Sequence, residues 1–333
     1  MSALTKIASC PTAARVLCIQ QSLSLLQRCE ETKDLGPGFG DVALLVPFKV
    51  HGRVYGHMQP TFADRLLSKF PDTFVRCGQS PASAAASAPT PLGISLNGAL
   101  EQGPAAARTD AVAQANEQLR RAGEIQGWRQ EQLPVVRTHG EEPAFLIERA
   151  ACAYYGLQAW GVHVNGFERR DAAQPQAVTH IWVATRSRSK STWPGLLDHL
   201  AAGGLPHGIT PSECVVKECA EEAGVPEHIA ATAQPTGALS YRCIDEFEQL
   251  RCDTIFTFDL DLTGTSPGFH PRPVDGEVQA FQLRSVDWVL ATMCSGPAYK
   301  PNCSLVVIDF LLRRGLISPE SPHYLELVDK VRA

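Results

Sequence analysis

Apolar positions recur along the chain with two periods. Thr254-Ile-Phe-Thr-Phe-Asp-Leu-Asp-Leu262 alternates every second residue, as a half-buried strand does. Trp160 to Phe167, Val178 to Thr185 and Val278 to Leu283 read as further strands, the first two paired across a loop. Ala150 to Tyr155, Asn302 to Arg314 and Pro322 to Val331 read as helices, with Gly315 ending the second of them. Earlier in the chain, Ala13 to Leu26 reads as an amphipathic helix and Val42 to Val46 as a strand. Lys49 to Met58 reads as a hairpin turning at Gly52, and Phe62 to Phe70 as a helix entered through Pro60-Thr61. Thr109 to Ala122 continues as helix and Trp128 to Val136 as extended chain. Residues 78–107 are rich in Ala, Ser, Pro and Gly, so much of this stretch is expected to be a flexible surface insertion.

Strands followed by helices able to cover both faces imply the α/β class, an α/β/α sandwich around a mixed sheet over 147–333. A smaller α+β domain is expected over 1–146, where no residues show catalytic spacing.

One helix carries unusual chemistry. Thr210 suits the N-cap, Pro211 the first helical position, and Glu213 completes a capping box. Gly224 stands where a left-handed C-terminal residue is wanted. Val215, Val216, Cys219, Ala220 and Ala223 form an apolar stripe, and Glu218, Glu221 and Glu222 fall at i, i+3 and i+4 on the other side. Three crowded carboxylates need a counter-charge, and a hard divalent cation such as Mg²⁺ or Mn²⁺ supplies one. An acidic run on a helix is most often a solvated face. The double glycine Gly203-Gly204 just ahead of the helix, whose backbone can come close to a ligand, favours the functional reading.

Composition narrows the remaining classes. Of 333 residues, 44% are hydrophobic and 20% charged, which suits a globular protein with a buried core. The formal charge of −5 and the lack of a basic block argue against a nucleic-acid partner. No apolar run is long enough to span a bilayer, so no membrane partner is expected. The 11 cysteines are scattered without a CxxC pair, read as reduced thiols, and give a zinc site little support. A cytoplasmic location is expected on these grounds. Met1 to Cys29 contains no acid, so an organelle address there stays open. The oligomeric state is not legible.

The segment 203–225 resembles the Nudix box, Gly-x5-Glu-x7-Arg-Glu-Ψ-x-Glu-Glu-x-Gly-Ψ, where Ψ is a bulky aliphatic residue. Gly203, Glu218, Glu221, Glu222, Gly224 and Val225 fall in register, while Ile209 replaces the first glutamate and Lys217 the arginine. Beyond the box, the chain is similar to the Nudix module found with thiamine pyrophosphokinase. That likeness is carried by Glu148-Arg149, Gly161-Val-His163-Val-Asn165-Gly166, Trp193-Pro-Gly-Leu-Leu-Asp198, Asp275-Gly-Glu277-Val278 and Lys300-Pro-Asn-Cys-Ser-Leu-Val-Val-Ile-Asp309. Tyr55-Gly-His-Met-Gln-Pro60 and Phe70-Pro-Asp-Thr-Phe74 extend it into the first domain.

The resemblance implies metal-dependent hydrolysis of a small-molecule diphosphate, with oxidised or damaged thiamine diphosphate the expected substrate. ADP-ribose, a nucleotide sugar or a catalytically weak binding module remain alternatives. It implies that Glu218, Glu221 and Glu222, with Gly203, hold the metal. Glu222 is the simplest general base and Glu277 its rival. Gly204, Lys217, Arg186 and Lys190 are the expected substrate contacts. If the strand from Val178 runs on, Arg186, Arg188 and Lys190 share one face, although Arg188 reads better as solvated. Trp160, Trp193, Tyr241 and Phe281 are available as flat walls, but such aromatics are usually core. His163, inside a strand, reads as a structural histidine.

Overall fold

A computed structural model describes residues 15–33, 45–78, 93–245, 249–265 and 269–332. After helix α1 (Ile19–Lys33), a first sheet forms from β1 (Val46–Val50), β2 (Arg53–Met58), β3 (Phe74–Cys77) and β4 (Gly93–Leu96), in the order β2-β1-β4-β3. His51 and Gly52 both take positive φ, 49° and 71°, which closes the β1–β2 hairpin with the twist its strands need. Helices α2 (Pro60–Lys69) and α4 (Ala105–Arg121) pack into this sheet's core, short α3 (Gly98–Gln102) links β4 to α4, and β5 (Gln132–Val135) pairs with β6 (Phe145–Glu148). Phe48, Phe62, Phe74, Phe145 and Tyr155 form the centre of this first core.

The second sheet is larger and mixed. It comprises β7 (Gln158–Glu168), β8 (His180–Arg186), β9 (Leu197–Asp198), β10 (Ala201–Gly204), β11 (Gln234–Ile244), β12 (Leu250–Asp261) and β13 (Val278–Ser285). Its main path runs β11-β12-β7-β8-β13; β10 pairs with β7, and β9 with β8. The β7–β12 pairing is parallel and the others are antiparallel. Helix α5 (Pro211–Ala223) covers one face through Cys214, Val215, Cys219 and Ala223, with α6 (Glu227–Ala230) beside it. Helices α7 (Val286–Ser295), α8 (Pro301–Arg313) and α9 (Tyr324–Arg332) cover the other face. The expected α/β/α sandwich is therefore present, preceded by a smaller α+β domain.

Several boundaries differ from the sequence reading. Within 78–107, residues 93–107 are not insertion. Gly93–Leu96 is a strand between β1 and β3, with Ile94 and Leu96 in the core, and α3 and the start of α4 follow it. The remainder, 79–92, lies outside the described residues, as do Val42 to Ala43 and Leu44 of the expected first strand. Helix 150–155 is reduced to a 3₁₀ turn over Arg149–Ala151. Residues 147–157, assigned to the second domain by sequence, send Ile147, Ala151, Cys152, Tyr155 and Leu157 into the first core. Gly56 and Gly156 allow that docking: a β-carbon on Gly156 would lie 1.8 Å from the His57 carbonyl oxygen. Helix α1 goes the other way. Its Leu25, Leu26 and Cys29 pack with α7, α8 and α9 in the second domain.

Candidate active site

Helix α5 begins and ends as its sequence specifies. Thr210 Oγ1 accepts from the Glu213 amide at 3.2 Å, Glu213 Oε2 accepts from the Thr210 amide at 2.7 Å, and Gly224 closes the helix at φ 63°. This fixes the rotation of the helix and so the direction of its acids. They do not all lie on an exposed face, as expected. Glu218 is buried, Glu222 is half-buried, and only Glu221 is open to solvent. The first two enter the groove between α5 and β10.

The backbone of β10 meets them there. A β-carbon on Gly203 would sit 2.1 Å from the Glu218 carboxyl carbon, so no residue with a side chain fits without displacing that carboxylate. Glu222 Oε2 accepts a hydrogen bond from the Ala202 amide at 2.9 Å. Lys217 Nζ spans Glu218 Oε1 at 3.0 Å and Glu221 Oε2 at 2.8 Å. Burial raises the pKa of Glu218 against the opposing pull of Lys217. Burial, reinforced by the nearby Asp198 carboxylate, pushes Glu222 well above the ordinary range. Lys217 is raised: burial opposes its charge, but the hydrogen bonds to Glu221 and Glu218 prevail. The donor set is all oxygen, its charges are raised in energy by burial and mutual repulsion, and bare Gly203 leaves the cradle. These features fit a hard divalent cation.

Two expected substrate contacts have other duties. Gly204 has no side chain because the Arg149 guanidinium lies over it, 2.7 Å from where its β-carbon would be. Arg149 Nη1 is held by Glu131 Oε2 at 2.6 Å. Lys217 is turned to the carboxylates. Arg186 is a clearer departure: its strand ends at that residue, so the shared face with Arg188 and Lys190 does not form. Its guanidinium donates to Asp198 Oδ2 at 2.6 Å, the Thr192 carbonyl at 2.9 Å and the Trp193 carbonyl at 3.1 Å. Arg186 thus braces the loop that leads to β9.

Lys190, in that loop, pairs with Glu277 at 2.5 Å. Burial works to raise the Glu277 pKa, but the Lys190 hydrogen bond and charge hold it below the ordinary carboxylate range. The amide of Ser187 donates to the Glu277 carbonyl at 2.8 Å, which ties the 275–277 turn to the end of β8. Arg129, Ser189, Lys190, Ser191 and the Asp275–Glu277 turn line a cleft of about 310 Å³. Arg129 and Arg149 come from the first domain, and sequence reasoning gave neither a role. Their only signal was the Glu148-Arg149 pair: Glu148 Oε1 accepts from the Arg129 amide at 2.9 Å. Trp160 and Tyr241 are buried, whereas Trp193 is 48% exposed and takes φ 54° just beyond the cleft.

Comparison with known proteins agrees with this architecture. A family model described as "NUDIX domain" matches residues 161–299, and one described as "Domain of unknown function (DUF4743)" matches residues 21–159. The chain is 40% identical over 289 residues to "Nudix hydrolase 20, chloroplastic" of Arabidopsis thaliana, a match covering 86% of this chain and 72% of that one. It is 38% identical over 315 residues to "Nudix hydrolase 24, chloroplastic" of the same plant, covering 94% and 80%. A Saccharomyces cerevisiae protein named "Uncharacterized protein YJR142W" is 35% identical over 221 residues, covering 62% and 61%. The two plant relatives, both named chloroplastic, overturn the expected cytoplasmic location. With its accessory domain followed by a mixed-sheet module, and with relatives of this identity and coverage, the chain belongs to the Nudix hydrolases, enzymes that cleave organic diphosphates with the aid of a metal ion.

Proposed function

We propose that the substrate is thiamine diphosphate in an oxidised or otherwise damaged form, cleaved to the monophosphate and phosphate. The observation that carries this reading is a convergence. Segments that resemble the thiamine-associated Nudix module lie far apart in sequence, yet their residues gather round one region. Arg149 lies over Gly204, Asp198 is bound by Arg186 and Cys303, and Glu277 pairs with Lys190. Exposed Trp193, two residues beyond Ser191 of the cleft, offers a flat apolar wall for a heteroaromatic ring.

Glu218, Glu221 and Glu222, beside Gly203, would hold Mg²⁺ or Mn²⁺. When bound, that ion supplies neutralisation of phosphoryl charge and a more acidic water. Glu222 takes the proton of the attacking water as its oxygen bonds to phosphorus, and the phosphoanhydride bond breaks to release the monophosphate. Glu222 suits this role because its carboxylate is fixed on the Ala202 amide beside the other acids, whereas Glu277 is committed to Lys190. Lys217 orients Glu218 and Glu221. Lys190 and Arg129 grip phosphate oxygens from the far wall of the cleft.

Packing of 147–157 in the first core supports a domain boundary near residue 158 rather than 147. The chloroplastic relatives support an organellar destination. Leu17, Leu25 and Cys29 belong to the folded core, so a removable address would have to end ahead of Arg15.

Phosphate release with Mg²⁺ from a panel of thiamine diphosphate, its oxidised forms, ADP-ribose and nucleotide sugars tests the substrate. Turnover of nucleotide sugars without turnover of any thiamine compound would reject it.

A further inference from the structure

A second cluster of metal-ligating groups lies away from the acidic helix. His163 comes from the middle of β7, His199 from the turn between β9 and β10, and Cys303 from the first turn of α8. One ligand atom from each lies within 4.8 Å of the others, and all three residues are buried. The exposures are 5% for His163, 4% for His199 and 0% for Cys303. The two imidazole rings approach at 4.8 Å between centroids.

These groups are not satisfied by one another. His163 Nδ1 and His199 Nε2 are buried with no hydrogen-bond partner among the described residues. Buried polar atoms are partnered in the great majority of cases, so two orphaned ring nitrogens beside one thiol indicate a missing ligand. The Cys303 thiol donates to Asp198 Oδ1 at 2.8 Å, which brings a carboxylate to the edge of the cluster. Asp198 is itself held from the other side by the Arg186 guanidinium.

We propose that His163, His199 and Cys303 bind a borderline-soft divalent transition ion, most simply Zn²⁺, at a site distinct from the carboxylate site on α5, with Asp198 as the carboxylate at its edge. Two imidazoles and a thiolate match zinc in ligand type, with water to complete a tetrahedral set, whereas Mg²⁺ prefers oxygen throughout. On binding, the Cys303 sulfur forms its bond to the metal and its proton leaves to solvent. The thiolate then supplies one negative charge directly to the ion, and the Asp198 carboxylate, shared with Arg186, lies beside it. Arg186 plays the outer part, orienting the carboxylate. The ion would clamp α8 to β7 and to the turn that leads into β10. His163 pairs with Ala202 of β10, the residue whose amide holds Glu222, so the clamp buttresses the strand on which the catalytic acids rest.

No spacing in the sequence announces this site, because the ligands come from three distant elements brought together only by the sheet and α8. It makes no use of the hydrolytic reading, and its test reads metal rather than turnover. Full-length protein, purified without chelator, is analysed for zinc, then stripped and titrated with Co²⁺. The expected result is one zinc per chain and, with Co²⁺, the intense visible bands of a tetrahedral ion together with a thiolate-to-metal charge-transfer band. Cys303→Ser should lose the charge-transfer band, and His199→Gln should lose the tetrahedral spectrum. Glu218→Gln, which disables the oxygen site, should keep both. Wild-type protein that carries no zinc and gives no thiolate band would overturn the proposal without reference to any variant, as would a band that survives in Cys303→Ser.

Discussion

The carboxyl group of Glu218 occupies the space where a side chain on Gly203 would begin, with 2.1 Å between the two positions. Backbone and carboxylate are therefore fitted to each other, and Gly203→Ala has to push the acid out of the groove. A displacement of about an ångström in a catalytic group costs about 100-fold in rate. Gly203→Ala is expected to lower kcat/KM by at least about that factor and to weaken Mg²⁺ binding, read by titrating Mg²⁺ against activity. A rate equal to wild type would show that Glu218 does not need this position.

Glu222→Gln keeps the shape of the side chain and removes its charge. Loss of a general base costs about 10²–10⁴-fold in kcat. Stability should not fall in the metal-free protein, because burial and the Asp198 carboxylate already disfavour the Glu222 charge. Steady-state kinetics and a melting curve on the same preparation check both halves. Wild-type turnover would remove Glu222 from the mechanism.

The Lys190–Glu277 pair makes a pH-dependent prediction. Burial works to raise Glu277, but the Lys190 hydrogen bond, together with the charges of Lys190, Arg129 and Arg186, holds it below its ordinary value of 4.5. A carboxyl depressed in the folded state contributes stability above its unfolded pKa, and that contribution is lost as pH falls through the folded pKa. Lys190→Met should therefore destabilise at pH 7 and converge on wild type in acid, below about 4.5. Glu277 is 40% exposed, so solvent screening keeps the effect at pH 7 to about 0.2–1 kcal/mol. The acid limb of the pH–rate profile should stay in place if Glu222 is the base. A limb moved upward in Lys190→Met assigns that role to Glu277.

How much of this was legible depended on whether the deciding contact is local. Helix α5 was readable to its caps, since Thr210, Pro211, Glu213 and Gly224 act on their own neighbours. The fold class followed from period alone. Strand β11 was missed because it lies at the sheet edge, carries Pro235 and Gly237, and buries only Leu239 and Tyr241 among its apolar residues, too few to show alternation. Strand β4 was hidden by a composition that reads as linker until β1 and β3 close on it. The burial of Glu218, the bracing role of Arg186 and the entry of Arg149 all depend on partners distant in sequence, which no window along the chain contains.

Asp259 gives the stability prediction. Its fully buried carboxylate binds Arg313 at 3.0 Å and Arg314 at 2.7 Å, and it accepts from Asn165 at 3.2 Å. Asp259→Ala leaves the Arg313 guanidinium with Asp309 alone and takes from that of Arg314 its carboxylate partner, at the junction of α8 and the sheet. Because those groups are 17% and 30% exposed, the cost should lie at the low end for a broken buried pair, about 3 kcal/mol. Urea denaturation measures it, and a loss below about 1 kcal/mol, the level of a surface pair, would show that water replaces the carboxylate.

Arg129 tests whether the accessory domain takes part in substrate binding. It reaches the cleft that Lys190 and Glu277 line, although it belongs to the chain ahead of β5. A guanidinium that grips a phosphate oxygen equally in the ground and transition states contributes to KM and leaves kcat alone. Arg129→Met should raise KM about tenfold, equivalent to about 1.4 kcal/mol of binding, with kcat within a factor of two or so. Melting temperature serves as the control, since the Arg129 side chain is not the group that Glu148 holds; that bond is made by its amide and survives the substitution. An unchanged KM would confine substrate binding to the Nudix module. A fall in kcat at constant KM would instead give Arg129 a contact made only in the transition state.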